Sequence, residues 1–114
     1  MKLLIANKLG KSGLDVLRNQ NRVEFDYAES MTTEDLPGAL NDYDALIVRS
    51  QPNVTRDAIS AGKNLKIIGR AGVGLDNIDL DAAHDHNIDV LNCPDANTIS
   101  AAEHTFALMM AVSR

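Results

Sequence analysis

The sequence predicts an α/β domain with a mainly parallel sheet, on the strength of two observations. Short apolar runs recur along the chain, and the segments between them have helical periodicity. Such alternation is typical of βαβ units, in which helices cover a parallel sheet. The chain has 114 residues, of which 45% are hydrophobic, enough for one core but not for two. We therefore expect a single domain built on an open sheet.

Five apolar runs are the predicted strands. They are LLIA (3–6), VEF (23–25), ALIV (45–48), LKIIG (65–69) and IDVL (88–91). The helices between them are expected to begin at Ser12, at Thr32, within the segment 54–59 and at Asp79, where Ser, Thr or Asp oxygens can accept from an unpaired backbone N–H. Pro37 and Gly38 fall inside the second helix, which should therefore be short or broken.

A last helix is expected over residues 97–114. Its apolar side chains lie nearly all round the helix axis, and they include Phe106, Leu108, Met109, Met110 and Val112. A helix of this kind must be covered on more than one face. A central position in the core would cover it, but contact with another domain or a second copy is the interpretation we favour.

Composition excludes several functional classes. The formal net charge of -5, without any run of Lys or Arg, argues against a nucleic-acid partner. No stretch approaches the roughly 20 apolar residues of a membrane span, and the N-terminus lacks a secretory signal, so we expect a cytoplasmic protein that does not bind a membrane. Cys93 has no partner cysteine and is expected to be a buried or half-buried thiol without chemistry. His84 and His86 have no third ligand nearby, so no metal site is predicted.

The run GRAGVGLDNIDLDAA (69–83) first suggests a dinucleotide-binding loop. That fingerprint requires G-x-G-x-x-G at the turn from a strand into a helix. Gly72 and Gly74 fit its first two glycines, but Asn77 stands in place of the third, and Asp79 is a cap residue that delays the helix. Pyrophosphate binding at this loop is therefore not expected.

A different use of the two glycines fits better. A Gly-x-Gly turn after a parallel strand can present backbone N–H groups to one small anion, such as a carboxylate. Arg49 follows the third apolar run and Arg70 follows the fourth, so both should leave the sheet at the same edge as this loop. Guanidinium groups complement carboxylate and phosphate, although two solvated surface arginines would give the same pattern.

The motifs together resemble a known family. Arg-Ser at 49–50, Gly-Arg-Ala-Gly-Val-Gly-Leu-Asp-Asn-Ile-Asp at 69–79, Asn-Cys-Pro-Asp-Ala-Asn at 92–97 and Ala-Ala-Glu at 101–103 are similar to the first half of the D-2-hydroxyacid dehydrogenases. The resemblance is strong over residues 44–114 and looser before them, and it is greatest to the enzymes that oxidise 3-phosphoglycerate towards serine. It implies a flavodoxin-like sheet of five parallel strands, in the order 2-1-3-4-5, with helices on both faces.

The family also implies roles for particular residues. Residues 1–96 would be the substrate-binding domain and 97–114 the crossover helix into a Rossmann domain that holds NAD and is absent from these 114 residues. Contacts with a small 2-hydroxy acid are implied for Arg49, Ser50, Arg70, Gly72, Val73, Gly74 and Asn97. Val73 would also touch the nicotinamide end of NAD.

The resemblance further implies that these residues have no activity by themselves. The family's catalytic arginine, glutamate and histidine match no position here, so no catalytic residue is assigned and no cofactor is expected to stay bound. Without the Rossmann domain, the apolar helix 97–114 is expected to form a homodimer, either directly or by exchange of that helix between copies.

Two alternatives to a phosphoglycerate enzyme stay open. Gln51, Pro52 and Asn53 stand where the family often carries a lysine, so another D-2-hydroxyacid dehydrogenase, of the glyoxylate or hydroxypyruvate reductase type, would also fit. A non-enzymatic flavodoxin-like module is the second. A phosphoacceptor would need carboxylates where the chain has Asn7 and Arg49, and a flavin protein would need more aromatic residues than the 4% present.

Overall fold

Five parallel strands form one sheet, and they lie side by side in the order that the family resemblance implied. The structure is a computed structural model that describes residues 1–93. The strands are β1 (Lys2–Ile5), β2 (Glu24–Tyr27), β3 (Ala45–Val48), β4 (Ile67–Arg70) and β5 (Asp89–Leu91). They lie in the order β2-β1-β3-β4-β5, which confirms the predicted fold class. The crossover helix 97–114, Asn97 and the dimer predicted through that helix lie outside the described residues.

Helices cover both faces of the sheet. They are α1 (Lys11–Arg18), α2 (Leu36–Ala39), α3 (Arg56–Ala61) and α4 (Leu80–Asp85), and a 3-10 turn over Leu40–Asp42 follows α2. Helix α1 packs on one face, where Leu14 and Leu17 meet strand residues such as Ile5 and Ile47. The other three helices pack on the opposite face and form the larger apolar cluster. Apolar side chains on both faces explain why β3 is buried along its whole length.

The second helix is short, as its Pro-Gly pair predicted. Helix α2 has 4 residues, with Pro37 in its first turn, before the chain tightens into the 3-10 turn. Thr32 does cap the preceding turn: its Oγ1 accepts from the Asp35 amide at 3.2 Å, and the Asp35 carboxylate accepts from the Thr32 amide at 3.3 Å. The regular helix nevertheless begins only at Leu36.

The predicted cap at Ser12 is wrong. Helix α1 begins at Lys11, and its N-cap is Gly10, which makes no side-chain cap hydrogen bond. The carbonyl of Gly10 already accepts from the Leu14 amide at 3.1 Å, so Ser12 lies inside the first turn. By contrast, Asp79 caps α4 as predicted: its Oδ1 accepts from the Ala82 amide at 2.9 Å. Thr55 caps α3 in the same way, through the Ala58 amide at 3.3 Å.

Strand β2 lies later in the chain than its apolar run indicated. The prediction placed it at 23–25, but it runs over Glu24–Tyr27. Its residues alternate between exposed and half-buried, because β2 is an edge strand with only one face on the core. Phe25 and Tyr27 pack against the cluster that includes α1. Cys93 is buried, as predicted, with 2% of its surface exposed.

Candidate functional site

The carboxyl ends of β1, β3 and β4 lie side by side, and the loops that follow them form the candidate site. These strands are neighbours in the sheet, with Val48 of β3 paired in register with Arg70 of β4. Ligands of open parallel sheets bind at this edge. Arg49, Arg70 and the loop 71–74 therefore share one edge, which is the arrangement the sequence predicted.

Arg70 is tied into the main chain of both neighbouring loops. Its Nε donates to the carbonyl oxygen of Arg49 at 3.2 Å, and its Nη1 donates to the carbonyl oxygen of Gly74. Nη1 also lies 4.0 Å from the carboxylate of Asp76, whose side chain is 92% exposed, against 12% for Arg70. An ion pair to so exposed a carboxylate contributes little energy. Arg70 thus supports the loops and brings a positive charge to the edge.

Arg49 and Ser50 lie on the neighbouring loop, which joins β3 to α3. The Arg49 side chain is half-buried, and its Nη1 donates to the carbonyl oxygen of Lys8 at 3.3 Å, which links it to the loop after β1. Ser50 is exposed at the rim. The site therefore combines the charges of Arg49 and Arg70 with a hydroxyl group, in a chain whose formal net charge is -5.

The glycine loop offers fewer amides than the sequence suggested. The Gly72 amide donates to the carbonyl oxygen of Arg70 at 2.9 Å, because the chain turns tightly after β4. Within residues 1–93, the amides of Val73 and Gly74 have no hydrogen-bond acceptor. None of the described glycines has a positive φ, so the loop is not an αR–αL nest. The predicted anion seat is thereby reduced to two adjacent amides, beside the 55% exposed side chain of Val73.

The carbonyl oxygens of Gly72, Val73 and Gly74 each accept a hydrogen bond from another part of the chain. The carbonyl oxygen of Gly72 accepts from the Cys93 amide at 2.9 Å, and that of Val73 accepts from Asn92 Nδ2 at 2.7 Å. The carbonyl oxygen of Gly74 accepts from Arg70 Nη1. Because its acceptors are occupied, the loop presents donors rather than acceptors to a ligand, which suits an anion.

Two asparagines that were not predicted to belong to the site, Asn7 and Asn77, hold the neighbouring β3–α3 loop in place. Asn77 Nδ2 donates to the carbonyl oxygens of Arg49, at 2.8 Å, and of Pro52, at 3.2 Å. Asn7 Nδ2 donates to the carbonyl oxygen of Gln51 at 2.6 Å. The sequence feature that could have pointed to Asn77 is its position as a polar residue directly before Ile78, which is buried. Its partners are main-chain groups, which have no sequence signature.

The connection from β4 to α4 does not fit the pyrophosphate of a dinucleotide. Helix α4 has 6 residues and begins at Leu80, well after the glycines, and the Ala82 amide of its first turn already donates to the carboxylate of Asp79. The sequence led to the same expectation for this loop. In residues 1–93, no three His, Cys, Asp or Glu side chains come together as metal ligands would. No helix in the same part of the chain has the length and apolar content of a membrane span.

The sequence is similar to those of known dehydrogenases. The D-3-phosphoglycerate dehydrogenase of Archaeoglobus fulgidus is 47% identical over 114 residues, which are 100% of this chain and 21% of that protein. The Bacillus subtilis protein of the same name is 42% identical over 113 residues, again 21% of its length. The chain therefore spans about a fifth of the length of these relatives.

Solved structures show the same likeness. The NAD⁺-bound 3-phosphoglycerate dehydrogenase of Entamoeba histolytica superposes with a TM-score of 0.71 and 31% identity, over 79% of this chain and 32% of that one. The TT0316 protein of Thermus thermophilus gives a TM-score of 0.75 with 28% identity, over 100% of this chain and 37% of that one. The family model for the catalytic domain of D-isomer specific 2-hydroxyacid dehydrogenases matches residues 3–114. The chain belongs to that family of dehydrogenases.

Proposed function

We propose that this chain is the substrate-binding part of a D-3-phosphoglycerate dehydrogenase. Such an enzyme oxidises the C2 hydroxyl of 3-phosphoglycerate to the ketone of 3-phosphohydroxypyruvate and passes a hydride to NAD. The observation that carries the proposal is the pair of amides at Val73 and Gly74, which have no acceptor within residues 1–93 and lie beside the Arg70 guanidinium group, at the sheet edge that also carries Arg49. The names of the relatives support the choice of acid.

Each part of the site has a role in this proposal. The amides of Val73 and Gly74 hold the substrate carboxylate, and Arg70 keeps their loop in place. Arg49 and Ser50 bind the rest of the acid, and Asn97, which lies beyond the described residues, adds a contact at the end of residues 1–96. Charge-assisted hydrogen bonds of this kind fix the orientation of C2 and thereby reduce the entropic part of the barrier.

NAD supplies the hydride acceptor when it is bound, but residues 1–93 do not offer its pyrophosphate a site. In this proposal, residues 97–114 lead towards the domain that holds NAD, and only the exposed Val73 comes near its nicotinamide end. These 114 residues therefore bind the acid without oxidising it, because no acid-base group and no cofactor clamp lies among the proposed contacts.

A titration followed by NMR tests the proposal on the 114-residue chain. On addition of 3-phosphoglycerate, the Val73 and Gly74 amide peaks should move, and Arg49→Ala should weaken the affinity at least tenfold, which is the loss of about 1.4 kcal/mol expected for one hydrogen bond to a charged group. Arg18→Ala is the matched control, since Arg18 is an exposed arginine on α1 paired with Asp15. With NAD added, no NADH should form. Peaks that stay still, or equal affinities for the two variants, would refute the proposal.

One observation favours a second candidate, a dehydrogenase for an acid without phosphate. After Arg49, the β3–α3 loop has uncharged side chains at Gln51, Pro52 and Asn53, so these three positions add no cation for a phosphate group. Titration with hydroxypyruvate separates the two candidates. If hydroxypyruvate binds as tightly as 3-phosphoglycerate, the phosphate makes no contact and the second candidate is correct.

A further inference from the structure

Asn77 makes hydrogen bonds to three points of the β3–α3 loop. Its side-chain amide donates to the carbonyl oxygens of Arg49, at 2.8 Å, and Pro52, at 3.2 Å. Its own carbonyl oxygen accepts from the Val54 amide at 2.7 Å. The start, middle and end of residues 49–54 are therefore attached to a single residue.

Asn77 belongs to the segment that also contains the two unoccupied amides. It lies three positions after Gly74, and the Asp79 amide closes the segment by donating to the carbonyl oxygen of Val54 at 2.9 Å. Arg70 approaches the Arg49 carbonyl from a second direction, through Nε at 3.2 Å. Asn77 thus connects the loop that carries Arg49 and Ser50 to the loop that carries Val73 and Gly74.

The two ends of the Asn77 side chain differ in their partners. Nδ2 makes two hydrogen bonds, whereas Oδ1 is buried and has no hydrogen-bond partner among residues 1–93. A buried acceptor without a partner destabilises a fold. The Asn77 side chain therefore holds the loop through Nδ2. A carboxylate of the same shape, which only accepts hydrogen bonds, would place negative charge against two carbonyl oxygens.

We propose that Asn77 is a positioning residue for the substrate anion. It sets the separation between the Arg49–Ser50 half of the anion seat and the amides of Val73 and Gly74, without touching the acid itself. This inference rests on the proposed function, since it assumes that the two halves hold one ligand.

The test uses the 114-residue chain, 3-phosphoglycerate as the probe, and the variants Asn77→Ala and Asn77→Asp. Both should raise the Kd by about tenfold, since both remove the two donated hydrogen bonds. Asn77→Asp keeps the shape of the side chain but adds a negative charge, and Asn53→Asp adds the same charge to an exposed position of the β3–α3 loop. A loss of affinity in Asn77→Asp beyond that in Asn53→Asp therefore follows from the missing donor rather than from packing or charge. The matched control is Asn64→Ala, because Asn64 also donates to a main-chain carbonyl, that of Asn41 at 3.4 Å, at the opposite edge of the sheet.

The Kd is taken from the positions of folded-state peaks, so a partly unfolded variant does not imitate weak binding. If Asn77→Ala does not fold, Asn77→Asp alone carries the comparison. Affinity equal to that of the unmodified chain in Asn77→Asp would overturn this inference and leave the proposed function standing. An unmodified chain that does not bind 3-phosphoglycerate would overturn both.

Discussion

The guanidinium group of Arg70 lies against Gly74 so closely that a side chain at position 74 would displace it. A Cβ built on Gly74 would be 2.8 Å from Arg70 Nη1 and 2.9 Å from Asp76 Oδ1. At Gly72 the nearest atom to such a Cβ would be Arg70 Cζ, at an ordinary 3.6 Å. Neither glycine has a positive φ. Space for the arginine, rather than a cofactor or backbone strain, explains the glycine at 74.

We predict that Gly74→Ala destabilises the chain more than Gly72→Ala. The atoms in the way are the ends of two side chains, so the backbone should persist while Arg70 loses its hydrogen bond to the Gly74 carbonyl, at a cost of about 1 kcal/mol. Urea denaturation measures the difference. In an Arg70→Ala background most of the difference between the two glycine variants should disappear, and only the contribution of Asp76 Oδ1 should remain. An undiminished difference in that background would show that Arg70 is not its cause.

We predict that two helix caps contribute to stability and that Ser12 does not. Thr55→Ala and Asp79→Ala each remove an acceptor for the first turn of a helix, Ala58 N and Ala82 N respectively. Each should lower the free energy of unfolding by about 1 kcal/mol. Ser12→Ala is the comparison and should cost nothing, because Gly10 is the N-cap of α1. Ser12→Ala losing as much as the other two would contradict the structure.

We predict that the chain loses stability at high pH because of the hydrogen bond between Tyr43 and Asp26. Its hydroxyl donates to Asp26 Oδ2 at 2.5 Å, and this bond, with burial and the charges of Asp26 and Asp42, raises the pKa of Tyr43 from 10.0 to about 12. Because the pKa of Tyr43 is higher in the folded state than in the unfolded state, its hydrogen bond stabilises the fold fully below pH 10. This contribution is lost as the pH rises from about 10 to about 12.

The unmodified chain should therefore lose stability more steeply across that pH window than Tyr43→Phe, in chemical denaturation at a series of pH values. Asp26→Asn removes the largest cause and should bring the Tyr43 pKa down towards 10.0, as read from the ultraviolet absorbance of the phenolate. Equal pH slopes for the unmodified chain and Tyr43→Phe would count against the Tyr43–Asp26 hydrogen bond.

We predict that the largest loss of stability follows from a substitution in the central strand, β3. Leu46, in the middle of β3, has 0% of its surface exposed, and Leu46→Ala should cost about 2–5 kcal/mol through lost burial and the cavity left behind. Leu80 is 46% exposed at the start of α4, and Leu80→Ala should change stability by no more than about 0.5 kcal/mol. Thermal denaturation of the two variants checks the ranking. Similar melting temperatures would contradict the burial of β3.

The strands and helices could be predicted because apolar periodicity reports which side chains face the core. That signal is local, and it gave β3 over the residues Ala45–Val48 themselves. It failed at β2, where the exposed Glu24 and Asp26 belong to the strand although they are polar. It failed at Ser12 because the chain can enter a helix through a backbone carbonyl, that of Gly10, with no side-chain cap.

The edge of the candidate site followed from the sequence for a geometric reason. Residues at the carboxyl ends of parallel strands share one edge of the sheet, which is why the apolar runs alone predicted that Arg49 and Arg70 lie at the same edge. The ties made by Asn77 and Asn92 could not be predicted in the same way. Their acceptors are carbonyl groups 28 and 19 residues away, and every residue has such a group.

Both loops are held in place through their main-chain carbonyl oxygens, so the groups that maintain the fold at this edge are not the side chains exposed there. The oxygens of Arg49, Gln51, Pro52, Gly72, Val73 and Gly74 hold the frame. The side chains of Ser50, Gln51, Asn53 and Val73 point into solvent and hold none of it. Under the proposed function, a change at any of those four would leave the scaffold in register, so rim substitutions would alter which acid is preferred without compensating changes in the core.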